Sequence, residues 1–179
     1  MKSVTLKDGR ALTLREARED DAEKLLAYMN EVGGESDFLT YGKNGIPWTA
    51  EQEKRFLRGL TAGPSDLFLV GFVGDELACS ANLSAPRNAR IAHNAEMGIT
   101  VRKKYWHLGA ATAVLGELIG RAKSGTPLRA IRLGVYENNE RAVRLYRKFG
   151  FEYAGCRRRY FHVGDRYYDE ILMELFLDR

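Results

Sequence analysis

The chain has 179 residues, and 45% of them are hydrophobic, which gives enough apolar surface for one core. A net charge of +4, from 28 basic and 24 acidic residues, suits an anionic ligand but falls short of a nucleic-acid-binding surface. The 2 cysteines show no zinc-site or disulfide spacing, and no apolar stretch approaches the length that spans a bilayer. We therefore expect a single soluble, cytoplasmic domain over residues 1–179 that binds no metal, no nucleic acid and no membrane.

The first predicted elements are a strand pair and two helices. A hairpin or strand pair is predicted around the turn Asp8-Gly9. An amphipathic helix follows, with Asp20 or Asp21 as its N-cap. The next helix is predicted after Thr49, which forms a capping box with Gln52.

The segment from Glu35 to Trp48 joins these helices and is rich in glycine, proline and aromatic residues. Two interpretations have equal weight. The segment is either a lid over a ligand site or an ordinary connector that packs Phe38 and Trp48 on the core.

The rest of the chain is predicted to form further strands and two helices. The predicted strands cover residues 67–73, 77–83, 92–101, 131–135, 152–159 and 167–176, and the predicted helices cover residues 109–123 and 139–149. The strand-helix-strand order in the second half implies a parallel crossover. The pattern predicts an α/β (α+β) fold, with a mixed, largely antiparallel sheet of about seven strands, a central parallel strand pair and flanking helices.

The turn between Val101 and Gly109 is the clearest ligand signal in the chain. It is basic, contains glycine and leads into a helix, whose exposed amides favour a bound anion and above all a phosphate. An ordinary glycine turn explains the pattern equally well. No Rossmann fingerprint and no P-loop is present, so the phosphate carrier should not be a dinucleotide or ATP.

A second feature is the helix that contains Tyr146. Helical periodicity puts Tyr146 on one face with Ala142, Leu145 and Phe149. From this periodicity alone, Tyr146 is more often a core tyrosine than a reactive one.

Taken in order, these two features resemble the GCN5-related N-acetyltransferase (GNAT) family. The strand Glu96-Met97-Gly98-Ile99-Thr100-Val101 is similar to the family pattern Glu-x-Gly-hydrophobic-x-Val, which precedes a turn written Arg/Gln-x-x-Gly-x-Gly/Ala. The family's second motif is met by Val135, Asn139, Ala142, Leu145, Tyr146, Lys148, Gly150 and Phe151. The chain departs at Trp106, where the family usually has Arg or Gln, and at His107, where it often has Gly. The specific resemblance covers about residues 92–175.

The resemblance implies a GNAT-like single domain with acetyl-CoA as co-substrate. The implied coenzyme-binding residues are Ile99, Thr100, Val101, Trp106, His107, Leu108, Gly109, Ala110, Ala111, Asn139 and Tyr146. Backbone amides at the helix start would hold the diphosphate, and the strand would pair with pantetheine. Asn139 would bind pantetheine, cap its helix, or do both. The basic residues of the turn, Arg102, Lys103 and Lys104, would meet phosphates or be solvated.

Two side chains are predicted to carry the chemistry. Strand alternation puts Glu96 on the face opposite the apolar row, where it is either a general base for the amine or an ordinary charged strand residue. The resemblance implies that Tyr146 protonates the coenzyme A thiolate or hydrogen-bonds its sulfur. The histidines show no metal-ligand spacing, and no Ser-His-Asp order suggests an acyl-enzyme, so direct transfer in a ternary complex is expected.

The expected function is N-acetylation of a small primary amine, such as an amino acid, a polyamine or an antibiotic-like compound, by a monomer or a homodimer. The acidic residues that would attract a cationic acceptor, or would simply be solvated, are Glu31, Glu35, Asp37, Asp165, Asp169 and Glu170. Two alternatives stay open: a non-catalytic acyl-CoA binding or sensing module, and a protein N-terminal or lysine acetyltransferase. A ribosome-associated or other nucleic-acid-binding role is disfavoured by the small charge excess.

Overall fold

The computed structural model describes residues 1–43, 45–60 and 63–177, so Asn44 of the predicted lid segment lies outside them. The strands are β1 (Lys2–Thr5), β2 (Ala11–Glu16), β3 (Leu67–Val73), β4 (Glu76–Ser84), β5 (Asn94–Val101), β6 (Ala130–Tyr136), β7 (Glu152–Val163) and β8 (Arg166–Phe176). The helices are α1 (Ala22–Gly33), α2 (Ala50–Leu60), α3 (Ala110–Gly125) and α4 (Glu140–Lys148). None of the described helices is both long and apolar enough to cross a membrane.

The strands form one sheet in the order β1-β2-β3-β4-β5-β6-β8-β7. Neighbouring strands are antiparallel except for β5 and β6, which are parallel because α3 joins them as a crossover. The predicted fold class is therefore confirmed. The sheet has 8 strands against the predicted count of about seven, because both strands of the predicted hairpin around Asp8-Gly9 belong to it, paired from Lys2↔Leu14 to Thr5↔Ala11.

Helices cover both faces of this sheet. The α1/α2 face packs α1 and α2 on β3 and β4 through a core that includes Leu25, Leu57 and Val70. The α3/α4 face packs α3 and α4 on alternate residues of the central strands, with Leu118 and Leu133 in its core. Each fully buried leucine of this kind contributes about 2 kcal/mol to stability.

The predicted N-terminal cap is present in one helix and absent in another. The predicted capping box of α2 is present, since Thr49 N donates to Gln52 Oε1 at 2.8 Å and Gln52 N donates to Thr49 Oγ1 at 3.2 Å. Asp21 precedes α1 but does not cap it with its side chain. Its carboxylate instead accepts two hydrogen bonds of 2.7 Å from the guanidinium of Arg15. Both side chains are largely buried, so each charge needs the other as a partner.

Candidate active site

The two parallel strands separate at the centre of the sheet. β5 pairs with β6 only as far as Glu96↔Arg132, whereas its pairing with β4 continues to Val101. Beyond Glu96, one edge of β5 has no strand beside it in the described part of the chain. Backbone groups on an open edge need partners, so an extended ligand can pair there as an added strand. The open edge contains the predicted residues Ile99, Thr100 and Val101.

Thr100 can offer only its backbone to such a ligand. Its hydroxyl lies 2.9 Å from the Tyr28 hydroxyl and 2.8 Å from the Ser80 hydroxyl, on the α1/α2 face. Tyr28 is fully buried. This hydroxyl cluster fixes the strand against α1.

The start of α3 presents unpaired backbone donors. Gly109 precedes the helix with φ of 97°, and its position has no side-chain cap. The first N–H groups of a helix have no partner within the helix, so those of Ala110 and Ala111 are available to an anion. His107 has φ of 64°, a left-handed conformation that costs a non-glycine residue about 1 kcal/mol. This explains why glycine is common at this position in the GNAT pattern.

Trp106 links the open edge of β5 to the start of α4. Its indole Nε1 donates to the Val101 carbonyl at 2.7 Å. The Arg141 guanidinium lies 4.5 Å from the centroid of the Trp106 ring and 3.2 Å from His107 Nε2. The structure therefore brings together the two segments that carry the family motifs, and Trp106 occupies the place where they meet.

Arg141 was not predicted from the sequence, although it lies beside the turn that leads into α3. No carboxylate of the described residues pairs with it, and partial burial lowers the pKa of its guanidinium. A cation in the first turn of a helix opposes the helix dipole, so its position calls for another reason. Its placement two residues after the capping residue Asn139 is the signal that could have revealed it.

The Tyr146 ring packs in the core, as helical periodicity predicted. Its ring is 7% exposed and lies 5.8 Å from the Phe151 ring, within the core of the α3/α4 face. Its hydroxyl has no hydrogen-bond partner among the described residues. Burial raises the pKa of Tyr146 to about 12, so the hydroxyl stays protonated at neutral pH and can donate a hydrogen bond.

Asn139 is the N-cap of α4. Its Oδ1 accepts a hydrogen bond of 3.2 Å from the backbone N–H of Ala142, which confirms the capping interpretation. The amide nitrogen of its side chain remains for a ligand.

Glu96 lies apart from the Trp106 contact. It is exposed on the α1/α2 face, at the last position where β5 pairs with β6. Val101 is five residues further on, about 17 Å along an extended strand. Glu96 thus lies at the closed end of the separation between β5 and β6, whereas Trp106 lies at its open end.

The basic residues of the turn are mostly held by carboxylates. Arg102 is buried and pairs with Glu31 and, at 3.6 Å, with Glu76. Lys104 pairs with Glu76 at 2.6 Å. Of the basic residues predicted to meet phosphates, Lys103 is the one with no ion pair within the described ranges.

A cleft of about 240 Å³ lies beside Trp106 on the α1/α2 side. Its lining residues are Glu35, Ser36, Asp37, Phe38, Trp106, Tyr136, Asn138 and Tyr168. The segment after α1 closes one side of this cleft, because Phe38 packs edge-on to the Tyr136 ring at 5.7 Å and the Tyr136 hydroxyl donates to the Leu39 carbonyl at 3.2 Å. The segment is thus a wall of the cleft. Phe38 and Trp48 do not enter the core as the connector interpretation predicted, since both are exposed and Trp48 packs on Phe56 of α2 at 5.2 Å.

The predicted acidic residues divide between this cleft and other contacts. Glu35 and Asp37 line the cleft, and Glu35 also accepts a hydrogen bond of 2.6 Å from the Lys103 amide. Asp169 accepts a 2.7 Å hydrogen bond from the Arg159 amide in the β7–β8 hairpin. The acidic character of the cleft therefore comes from the segment after α1.

Comparison with known sequences identifies the family. The family described as "Acetyltransferase (GNAT) domain" matches residues 11–152, which is most of the chain. The chain belongs to the GNAT acetyltransferase family, and the resemblance predicted from its motifs is confirmed.

Individual relatives agree with this family. L-amino acid N-acetyltransferase AaaT of Escherichia coli (strain K12) is 27% identical over 105 residues, which are 59% of this chain and 65% of AaaT, so the match spans less than two thirds of that relative. A GNAT acetyltransferase structure from Streptococcus pneumoniae has a TM-score of 0.89 and 32% identity, and the match covers 92% of this chain and 98% of that one. The YncA structure from Salmonella typhimurium, solved with acetyl-CoA, has a TM-score of 0.81 and 17% identity, covering 93% and 94% of the two chains.

Proposed function

We propose that this protein is an N-acetyltransferase that moves the acetyl group of acetyl-CoA to a primary amine of a small molecule. One observation carries the proposal: β5 loses its parallel neighbour beyond Glu96 and then leads into a helix start with free amides. This arrangement offers pairing groups for a pantetheine arm and donors for a diphosphate in one continuous path. YncA, which shares the fold, binds acetyl-CoA.

The coenzyme would be held mainly by backbone. Ile99 and Val101 would pair with pantetheine, with the side-chain amide of Asn139 beside it, and the amides of Gly109 to Ala111 would bind the diphosphate. Because backbone amides would make most of the contacts with the coenzyme, the departures from the usual motif at Trp106 and His107 would leave binding intact. Arg141 lies beside this path and would add charge-assisted hydrogen bonds to a phosphate.

The chemistry needs a neutral amine and a protonated leaving group. An alkyl ammonium with a pKa near 10 has no lone pair for attack, so its proton must leave first. Glu96 is the predicted base, and because it is exposed it would take the proton through water. Tyr146 would donate its hydrogen bond to the sulfur that leaves, which is consistent with a pKa of about 12 that keeps it protonated.

The acceptor would approach from the α1/α2 side. The cleft there is lined by Glu35, Asp37 and Tyr136, which suit a cationic group beside an apolar one. Amino acids are the first acceptors to test, since AaaT is named as an L-amino acid N-acetyltransferase. A protein N-terminus or lysine is the alternative acceptor.

The wider predictions belong to the same proposal. We propose one N-acetyltransferase domain over residues 1–179, working in the cytoplasm. A monomer and a homodimer are both compatible with direct transfer in a ternary complex.

An assay of coenzyme A thiol release tests the proposal. Purified protein and acetyl-CoA are mixed with amino acids, polyamines, aminoglycosides or peptide N-termini, and binding of acetyl-CoA is measured separately by calorimetry. We expect binding, and thiol release only when a suitable amine is present. Binding without transfer to any amine would instead favour the coenzyme-sensing module, and no binding would contradict both.

A further inference from the structure

A second carboxylate, Glu170, lies on the α1/α2 face next to the separation of β5 and β6. It is on β8 opposite Tyr136 and is 7% exposed. Its Oε2 accepts a hydrogen bond of 2.9 Å from Arg157. A buried carboxylate needs such a partner, and the pairing leaves Oε1 for other uses.

The position of Oε1 depends on Gly134. A Cβ atom at Gly134 would lie 1.9 Å from Glu170 Oε1, so the carboxylate occupies the space that any other residue would fill. Neighbouring Leu133 and Val135 belong to the core of the α3/α4 face, so this space opens on the α1/α2 face. Gly134 is two residues beyond Arg132, the last residue of β6 that pairs with β5. Oε1 therefore lies at the border of the separation.

The other border carries a matching arrangement. Gly98 is two residues beyond Glu96, and a Cβ atom there would lie 2.7 Å from Asn82 Oδ1. Asn82 is on β4, directly opposite Gly98. Gly98 and Gly134 thus flank the separation. Asn82 Oδ1 from β4 lies over Gly98, and Glu170 Oε1 from β8 lies over Gly134.

Two oxygen acceptors, one of them charged, suit an ammonium group, which has several N–H donors and one positive charge. We propose that Glu170 receives the proton of the acceptor ammonium directly, while Asn82 accepts a second hydrogen bond that orients the nitrogen. This inference rests on the proposed N-acetyltransferase function. Glu96, at the closed end of the separation, then passes the proton to solvent water.

The step balances in protons and electrons. The ammonium N–H bond breaks, its proton joins a Glu170 oxygen, and the nitrogen keeps the electron pair. That pair forms the C–N bond to the acetyl carbon, and the C–S bond breaks with its electrons on sulfur. The nitrogen loses its second proton, the sulfur gains one, and one proton in total is released to water.

The test uses three matched variants and the amine that the wild-type protein acetylates fastest. Glu170→Gln keeps the size of the side chain and an acceptor for Arg157. Gly134→Ala leaves every charge in place but puts a methyl group where Oε1 lies. Glu174→Gln is the control, because Glu174 is on the same strand but pairs with Arg132 at 3.5 Å rather than with Arg157, and no atom of Glu174 is among the three nearest to a Cβ at Gly134. The kcat and both KM values are measured from about pH 6 to 9, with circular dichroism as a check of folding.

We expect Glu170→Gln and Gly134→Ala each to lower kcat on the order of 100- to 10,000-fold, with the KM for acetyl-CoA unchanged. The loss should shrink as pH rises, because the free amine then deprotonates in solution. Glu174→Gln should stay within about threefold of the wild type.

Three results would overturn the assignment. They are an active Glu170→Gln variant with wild-type kcat, a folded Gly134→Ala variant with wild-type kcat, or a kcat loss that does not shrink with pH. If the wild-type protein acetylates no amine, the proposed function itself fails, and this inference fails with it. An active wild type with an equally active Glu170→Gln variant overturns only the role of Glu170.

Discussion

The two sides of the separation between β5 and β6 are built in different ways. On the coenzyme side, the groups that would bind are backbone donors, placed by Gly109 and by the open edge of β5. On the acceptor side they are side chains such as Asp37 and Glu170, which come from segments far apart in the chain. A backbone site survives side-chain changes such as Trp106, whereas a side-chain site changes with each substitution. We therefore expect coenzyme binding to be robust and acceptor choice to be specific to this chain.

After the Glu170 and Gly134 variants, the next largest effect within this comparison is expected at Tyr146, between the two sides. Tyr146→Phe should lower kcat on the order of ten- to a thousand-fold, because the hydrogen bond to the leaving sulfur is lost while the ring still packs on Phe151. The KM for acetyl-CoA and the melting temperature should stay unchanged. Steady-state kinetics and thermal melting check this.

A different outcome at Tyr146 would change its assignment. If Tyr146→Phe kept wild-type kcat, the residue would be a core tyrosine only. A large fall in melting temperature would point the same way.

A smaller effect is expected at Arg141, on the coenzyme side. Arg141→Ala should weaken acetyl-CoA binding about tenfold, because a charge-assisted hydrogen bond to phosphate is lost. The difference in acetyl-CoA affinity between the wild type and Arg141→Ala should diminish at high salt, since the site is partly open to water. Calorimetric titration at two salt concentrations measures both quantities.

Arg144→Ala serves as the control for Arg141. Arg144 is on the same helix but pairs with Glu140 at 2.9 Å on the exposed side. Equal losses for the two variants would contradict a specific role for Arg141.

The smallest effect is expected at Asp37, on the acceptor side. Asp37→Asn should raise the KM for a cationic amine about threefold, because an exposed charge contributes little in water. Acetyl-CoA binding should not change. Kinetics with the preferred amine test this, with Asp75→Asn in the β3–β4 turn as control. A change in coenzyme affinity for Asp37→Asn would show that the acceptor side and the coenzyme side are not independent.

The parts of the site that the sequence predicted rest on local rules. Gly109 was predicted because a glycine turn at a helix start leaves exposed amides, and Asn139 because its side chain suits an N-cap. The order of elements followed from strand and helix periodicity. The family assignment, now confirmed, depended on these same residues.

The missed parts depend on long-range pairing. The position of Glu170 follows from the register between β6 and β8 and from the space over Gly134, which no local pattern reveals. The contact of Arg141 with Trp106 joins two helix starts that are far apart in sequence. Strand alternation predicted the face of Glu96 correctly, but it could not show that the strands separate only beyond that residue.

A crystal structure of the protein with coenzyme A tests the central claim most directly. We predict a diphosphate within hydrogen-bond distance of the amides of Gly109, Ala110 and Ala111, and a sulfur beside the Tyr146 hydroxyl. A coenzyme bound elsewhere, or a diphosphate that touches none of these amides, would contradict the claim that backbone donors at the start of α3 form the binding site.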